Sequence, residues 1–222
     1  MSPKQQVINF MASERVFRSG SIVDAHPSIS KRSIDYYIKE LVEEGRIAPV
    51  HKGLYFIQHP DKPVSRSEIG RALSPSSVVS LDTAFLSDRS DRHHVFHMVA
   101  DSGRIGSFDS PIGPIAIHGV PRKLLSELTK SPDRSTMFDG FDGFGGVQVV
   151  SKELASLHIS YLNNERKRGQ TYGHDIPKNA MGGINLDELK DLSYRLDINT
   201  DSFFRSSKEI NSKDSSPSPS FS

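Results

Sequence analysis

Residues 28–57 constrain the fold of this 222-residue chain more than any other stretch. Within them Ile34, Tyr37, Ile38, Leu41 and Val42 recur at offsets of three and four, the spacing that gathers side chains on one face of a helix. Lys31, Arg32, Asp35, Tyr36, Lys39 and Glu43 fall on the other, charged face. Ser30 stands where an N-cap oxygen accepts from the free N–H groups of a first turn, and Gly45 where a chain can leave a helix in the left-handed conformation. Two short apolar runs follow, Arg46 to His51 and Leu54 to Gln58, joined by Lys52-Gly53. Glycine permits the positive φ of a tight hairpin, and the Val, Leu, Tyr, Phe and Ile around it favour strands. A helix followed at once by a hairpin has the form of the recognition helix and wing of a winged helix-turn-helix.

The residues upstream complete that pattern. Ser2-Pro3 opens a helix expected to run to about Glu14, with Val7, Ile8, Phe10 and Met11 as its buried stripe. Val16-Phe17 reads as extended, and a short helix is expected from Ser19 to Ala25, stopped by His26-Pro27. The predicted order is helix, helix, turn, helix, hairpin over residues 1–60.

A polar stretch, His59-Pro60-Asp61-Lys62-Pro63, reads as a stiff link to a second domain at 64–200. Helices are expected at Ser65 to Leu73, with Glu68 in a capping-box position, at Leu81 to Leu86, at Pro121 to Thr129, at Lys152 to Asn163 and at Leu186 to Leu196. Val95 to Ala100, Arg104 to Phe108 and Ile112 to His118 suggest a small antiparallel sheet, and Val147 to Val150 reads as a further short strand. The fold class is therefore α+β. Residues 205–222 are dominated by Ser, Lys, Asp and Pro, too polar to offset their ordering entropy, and are expected to form a disordered tail.

Composition removes several function classes. The chain has no cysteine, so disulfides, thiolate metal sites and cysteine nucleophiles are all excluded. No apolar run is long enough for a membrane span, and residues 1–10 lack the apolar core of a signal peptide, so a cytoplasmic location is expected. A net charge of +1 is too small to argue for nucleic acid, and any such argument must rest on where the basic groups lie.

Three segments carry a likeness to a known family: LVEEGRIAPVHKGLYFI at 41–57, SPSSVVSLDTAFL at 74–86 and GVQVVSKELASLHISYL at 146–162. In order and spacing the chain resembles the AbiEi antitoxins of type IV toxin–antitoxin systems over roughly residues 1 to 165. The resemblance implies a repressor that binds the double-stranded DNA of its own operator through the first domain. It also implies a second domain that counteracts a nucleotidyltransferase-class toxin, indirectly and without a stable complex. No catalytic residue, cofactor or metal is expected, and the protein would act as a monomer or a DNA-induced dimer. The alternative is a winged-helix transcription factor whose second domain senses a small ligand; a further one is an enzyme.

The expected DNA-binding residues are Ser30, Lys31, Arg32, Ser33, Tyr36 and Lys39 on the third helix, with His51 and Lys52 at the hairpin tip. Asp35, Glu40, Glu43 and Glu44 moderate the basic surface, so paired sites or dimerisation would strengthen binding. Other patterns read as structural. His93, His94 and His97 resemble a metal cluster but are expected to be a surface loop entering an edge strand. Asp133, Asp139 and Asp142, among the glycines from 140 to 146, match neither a P-loop nor an EF-hand and read as turns. Ser80 and Asp82 lack a nucleophile elbow, which leaves N-capping as the expected role. Arg166, Lys167 and Arg168 read as a helix C-terminus.

Overall fold

A computed structural model describes residues 1–58, 63–86, 93–130, 137–138, 147–166 and 183–200. The expected link at 59–63, save for Pro63, lies outside these residues. So do the Asp and Gly-rich turns with Asp133, Asp139 and Asp142, the pair Lys167 and Arg168, and the tail at 205–222.

The first part of the chain runs α1 (Pro3–Ser13), β1 (Val16–Arg18), α2 (Ser19–Ala25), α3 (Lys31–Glu43), β2 (Ile47–His51) and β3 (Leu54–Ile57). Each boundary has a local cause. The Ser2 side chain accepts from the Gln5 N–H at the start of α1, and Pro3 gives up only an N–H that the first turn would leave unpaired. The Arg46 N–H returns to the Leu41 carbonyl and the Gly45 N–H to that of Val42, each at 3.0 Å, with Gly45 at φ +69°. This double return is the Schellman ending, and it turns the chain straight from α3 into β2.

Strands β1, β3 and β2 form an antiparallel sheet in that order. Its two faces have different partners. Phe17, Ile47, Tyr55 and Ile57 pack with Val7, Met11, Ile22, Ile34, Ile38 and Leu41 of the three helices. Ala48, Leu54 and Phe56 instead join the core of the second part, with Val16 against them. A small sheet covered on both sides buries residues of both parities along its strands, as the adjacent Ile47 and Ala48 show.

The second part comprises α4 (Arg66–Leu73), β4 (Val78–Val79), a 3-10 turn (Leu81–Phe85), β5 (Phe96–Ala100), β6 (Gly106–Phe108), β7 (Ile115–Gly119), α5 (Arg122–Lys130), β8 (Met137–Phe138), β9 (Gln148–Val149), α6 (Lys152–Arg166) and α7 (Leu186–Leu196). Ser65 and Glu68 close a complete capping box on α4. Here α4 lies against β1 and β3 on one side and against β5 on the other. At Gly70 an added Cβ would come within 2.1 Å of Met98 Sδ, so only glycine allows this approach of helix to strand. Arg15 and Arg18 reach across as well: Arg18 donates to the Ala72 carbonyl at 2.6 Å, and Arg15 pairs with Glu68 at 3.3 Å.

The second sheet corrects the expectation of a small antiparallel one. Six strands lie in the order β6-β7-β5-β4-β9-β8, with β5 parallel to β7 and β4 parallel to β9. It also corrects the placement of β5 at an edge, since β5 lies between β7 and β4. The cause is legible in burial: Met98, Val99 and Ala100 are all enclosed, as are Ile115, Ala116, Ile117 and His118. Unbroken burial rather than alternation marks strands covered on both faces, the habit of parallel pairs. The architecture as a whole is α+β. Among the described residues no helix is long and apolar enough to cross a membrane.

Candidate nucleic-acid interface

The face of α3 turned away from the core carries Lys31, Arg32, Asp35, Tyr36, Lys39 and Glu43, all exposed, while Ile34, Ile38 and Leu41 hold the helix down from the other side. Ser30 is committed to the helix start: its Oγ accepts from the Ser33 N–H at 3.2 Å and shares a hydrogen with Ser33 Oγ at 2.9 Å. Neither hydroxyl is idle, so the first turn presents its cations more freely than its serines.

Those cations differ in their ties. Lys31 lies 2.5 Å from Asp35 and Lys39 3.7 Å from Glu43, both one turn apart on the exposed surface. Pairs of this kind contribute only about 0.3–0.5 kcal/mol, so a phosphate can take the place of the carboxylate at small cost. Arg32 has no hydrogen bond or ion pair among the described residues, and its fork of donors suits phosphate or a guanine edge. Tyr36 is 63% exposed, with its ring edge-on to Tyr37 at 5.9 Å. A groove of about 500 Å³ separates α3 from the hairpin, with Lys39, Val42, Pro49 and Tyr55 in its walls.

At the hairpin tip Lys52 is exposed, and the backbone around it is fastened by the Ser19 N–H, which donates to the Gly53 carbonyl at 2.9 Å. Gly53 takes φ +74°, the conformation the two-residue turn requires. His51 points elsewhere in part, its ring meeting Phe108 of β6 edge-on at 5.4 Å. The structure therefore groups Ser30, Lys31, Arg32, Ser33, Tyr36 and Lys39 on one helix. It sets Lys52 on the neighbouring turn and ties His51 to the second sheet.

Two polar groups that periodicity does not announce sit inside the second part. Ser80 corrects the expectation of N-capping: it makes no side-chain cap bond, and its Oγ lies 2.7 Å from His158 Nδ1 of α6. Both side chains are sealed, at 0% exposure. Leu81, with φ +57°, turns the chain directly after Ser80 and keeps that hydroxyl pointed inward. Burial pushes the His158 ring down to about 3, only partly offset by the Leu124 backbone, so the imidazole stays neutral. A serine so enclosed can organise a core but cannot meet a substrate. The signal in sequence was the helix itself, apolar around most of Leu154 to Ile159, which buries whatever polar residue it carries.

The second group is Asp82, His97 and His118. His97 Nδ1 lies 3.0 Å from His118 Nε2 and its Nε2 3.7 Å from Asp82 Oδ2, with the two rings stacked at 5.2 Å. One ring must accept in that bond, so the pair cannot hold two full charges while it persists. His97 is thus turned into the sheet rather than toward His93 and His94, which are exposed. Among the described residues no three groups are placed to hold a metal ion.

Compared with models of known protein families the chain matches none, and no curated protein matches it in sequence.

Proposed function

We propose that the chain is a DNA-binding transcriptional repressor of the AbiEi antitoxin type, with a winged helix-turn-helix at its N-terminal end. It binds the double-stranded DNA of its own operator and counteracts a nucleotidyltransferase-class toxin without a stable complex. One observation carries the reading: α3 lies on its core by Ile34, Ile38 and Leu41 and leaves Lys31, Arg32, Tyr36 and Lys39 outward, directly ahead of a hairpin tipped by Lys52. A helix held in that manner enters a major groove N-terminal end first, where Arg32 reaches base edges while Lys31 and Lys39 meet phosphates. Lys52 reaches the adjacent backbone. The acidic residues interleaved on α3 keep the affinity of a single copy modest, so two copies on paired half-sites bind best.

The test is binding of the purified chain to its own upstream DNA and to a scrambled duplex across a salt series. Preference for the upstream DNA with a steep salt dependence supports the reading. Unchanged binding after Lys31→Ala with Arg32→Ala overturns it. Rescue of growth from a neighbouring toxin tests the antitoxin half separately. A second reading, a transcription factor whose second part senses a small ligand, is favoured by a cleft beside α4 and α5.

A further inference from the structure

An open cleft of about 380 Å³ lies where α4 ends, β4 begins and α5 starts, within the size range of small-molecule sites. Arg71, from the last turn of α4, is exposed on its wall and has no hydrogen bond or ion pair among the described residues. Arg122, the first residue of α5, is 91% exposed and lies 3.9 Å from Asp101, too far for a firm bond. Two guanidiniums with few ties therefore stand on the wall of one space. The start of α5 adds the positive end of a helix.

Asp101 decides what kind of anion fits. The Ser76 hydroxyl beside it, helped by Ser102, holds the Asp101 carboxyl below the usual carboxylate range, so it is charged at neutral pH. A bare anion would meet that charge. A ligand that brings hydroxyl donors to Asp101 and a phosphoryl group to the arginines would satisfy both, while Val78 and Leu125 give the cleft an apolar wall.

We propose that this cleft binds a small phosphorylated, hydroxyl-bearing molecule of the sugar phosphate class, with Arg71 and Arg122 on the phosphoryl oxygens and Asp101 on the hydroxyls. The site stands whether or not the chain binds DNA. It lies on the second part and uses none of the α3 residues.

Calorimetric titration of the full chain with ribose 5-phosphate, ribose and inorganic phosphate tests it. The expected result is that ribose 5-phosphate binds most tightly. Arg71→Ala should weaken it about tenfold or more, in line with losing one charged partner, while Lys190→Ala on α7 leaves it unchanged. Thermal melts confirm that each variant is folded. Absence of binding at millimolar ribose 5-phosphate overturns the proposal, as does affinity no greater than for phosphate or ribose alone, or affinity indifferent to Arg71→Ala.

Discussion

Ser80 Oγ and His158 Nδ1 meet at 2.7 Å inside the second core, both closed to solvent. The folded ring titrates near 3 instead of its ordinary 6.5 because burial disfavours the imidazolium. As pH falls below 6.5 the unfolded chain takes up a proton that the folded chain refuses. The contribution is complete above pH 6.5 and is lost progressively between 6.5 and 3, at up to about 1.4 kcal/mol per pH unit. Urea midpoints at pH 7 and pH 5 should differ more in the parent chain than in His158→Gln. An equal difference in the two would contradict a neutral buried His158.

Gly70 marks the closest approach of α4 to β5, since an added Cβ would come within 2.1 Å of the buried Met98 sulfur. Gly70→Ala should lower stability by about 1–3 kcal/mol, as expected when extra atoms are forced into a packed core. Met98→Val opens space beneath it, so the double variant should be less unstable than the two singles added together. Chemical denaturation of the four chains measures that coupling.

Phe56 faces away from the α1–α3 core and into that of the second part. Phe56→Ala should cost about 3–5 kcal/mol. Because the sheet of β1–β3 is shared, circular dichroism and tyrosine fluorescence should lose signal together in one shifted transition. Two separated transitions in the parent chain would contradict the shared core.

For the proposed DNA contact, the roles of two neighbours on α3 separate by salt. Lys39→Ala should weaken binding to all duplexes and reduce the salt slope by about one, the signature of a single phosphate contact. Tyr36→Ala should weaken binding with the slope unchanged, because a ring displaces no counterion. Fluorescence anisotropy over a range of potassium chloride distinguishes them.

The first helices and the hairpin were legible because their causes are local. Ser30 caps α3, Gly45 ends it, and Ser65 with Glu68 starts α4, all through partners within a few residues. The apolar spacing of Ile34, Ile38 and Leu41 likewise reports which face of α3 is covered. The exposed cations of the candidate interface follow from the same period, since a helix that buries one side must present the other. Their pairing with Asp35 and Glu43 is also written at the one-turn spacing.

What the sequence by itself determined, then, is where segments bend, cap and show an apolar side. The tertiary structure decided what each side meets. The other face of the small sheet, with Ala48, Leu54 and Phe56, is covered by the second core, a partner no local period names. Strand direction in the six-stranded sheet depended on how the connections run, which no alternation of residues records. Ser80 found His158 from 78 positions away, and the cleft beside Arg71 exists only because the end of α4 and the starts of β4 and α5 meet at one place. The physical reason is range: backbone hydrogen bonds and side-chain periodicity act within a turn or two, whereas burial is shared among whatever surfaces the chain brings together.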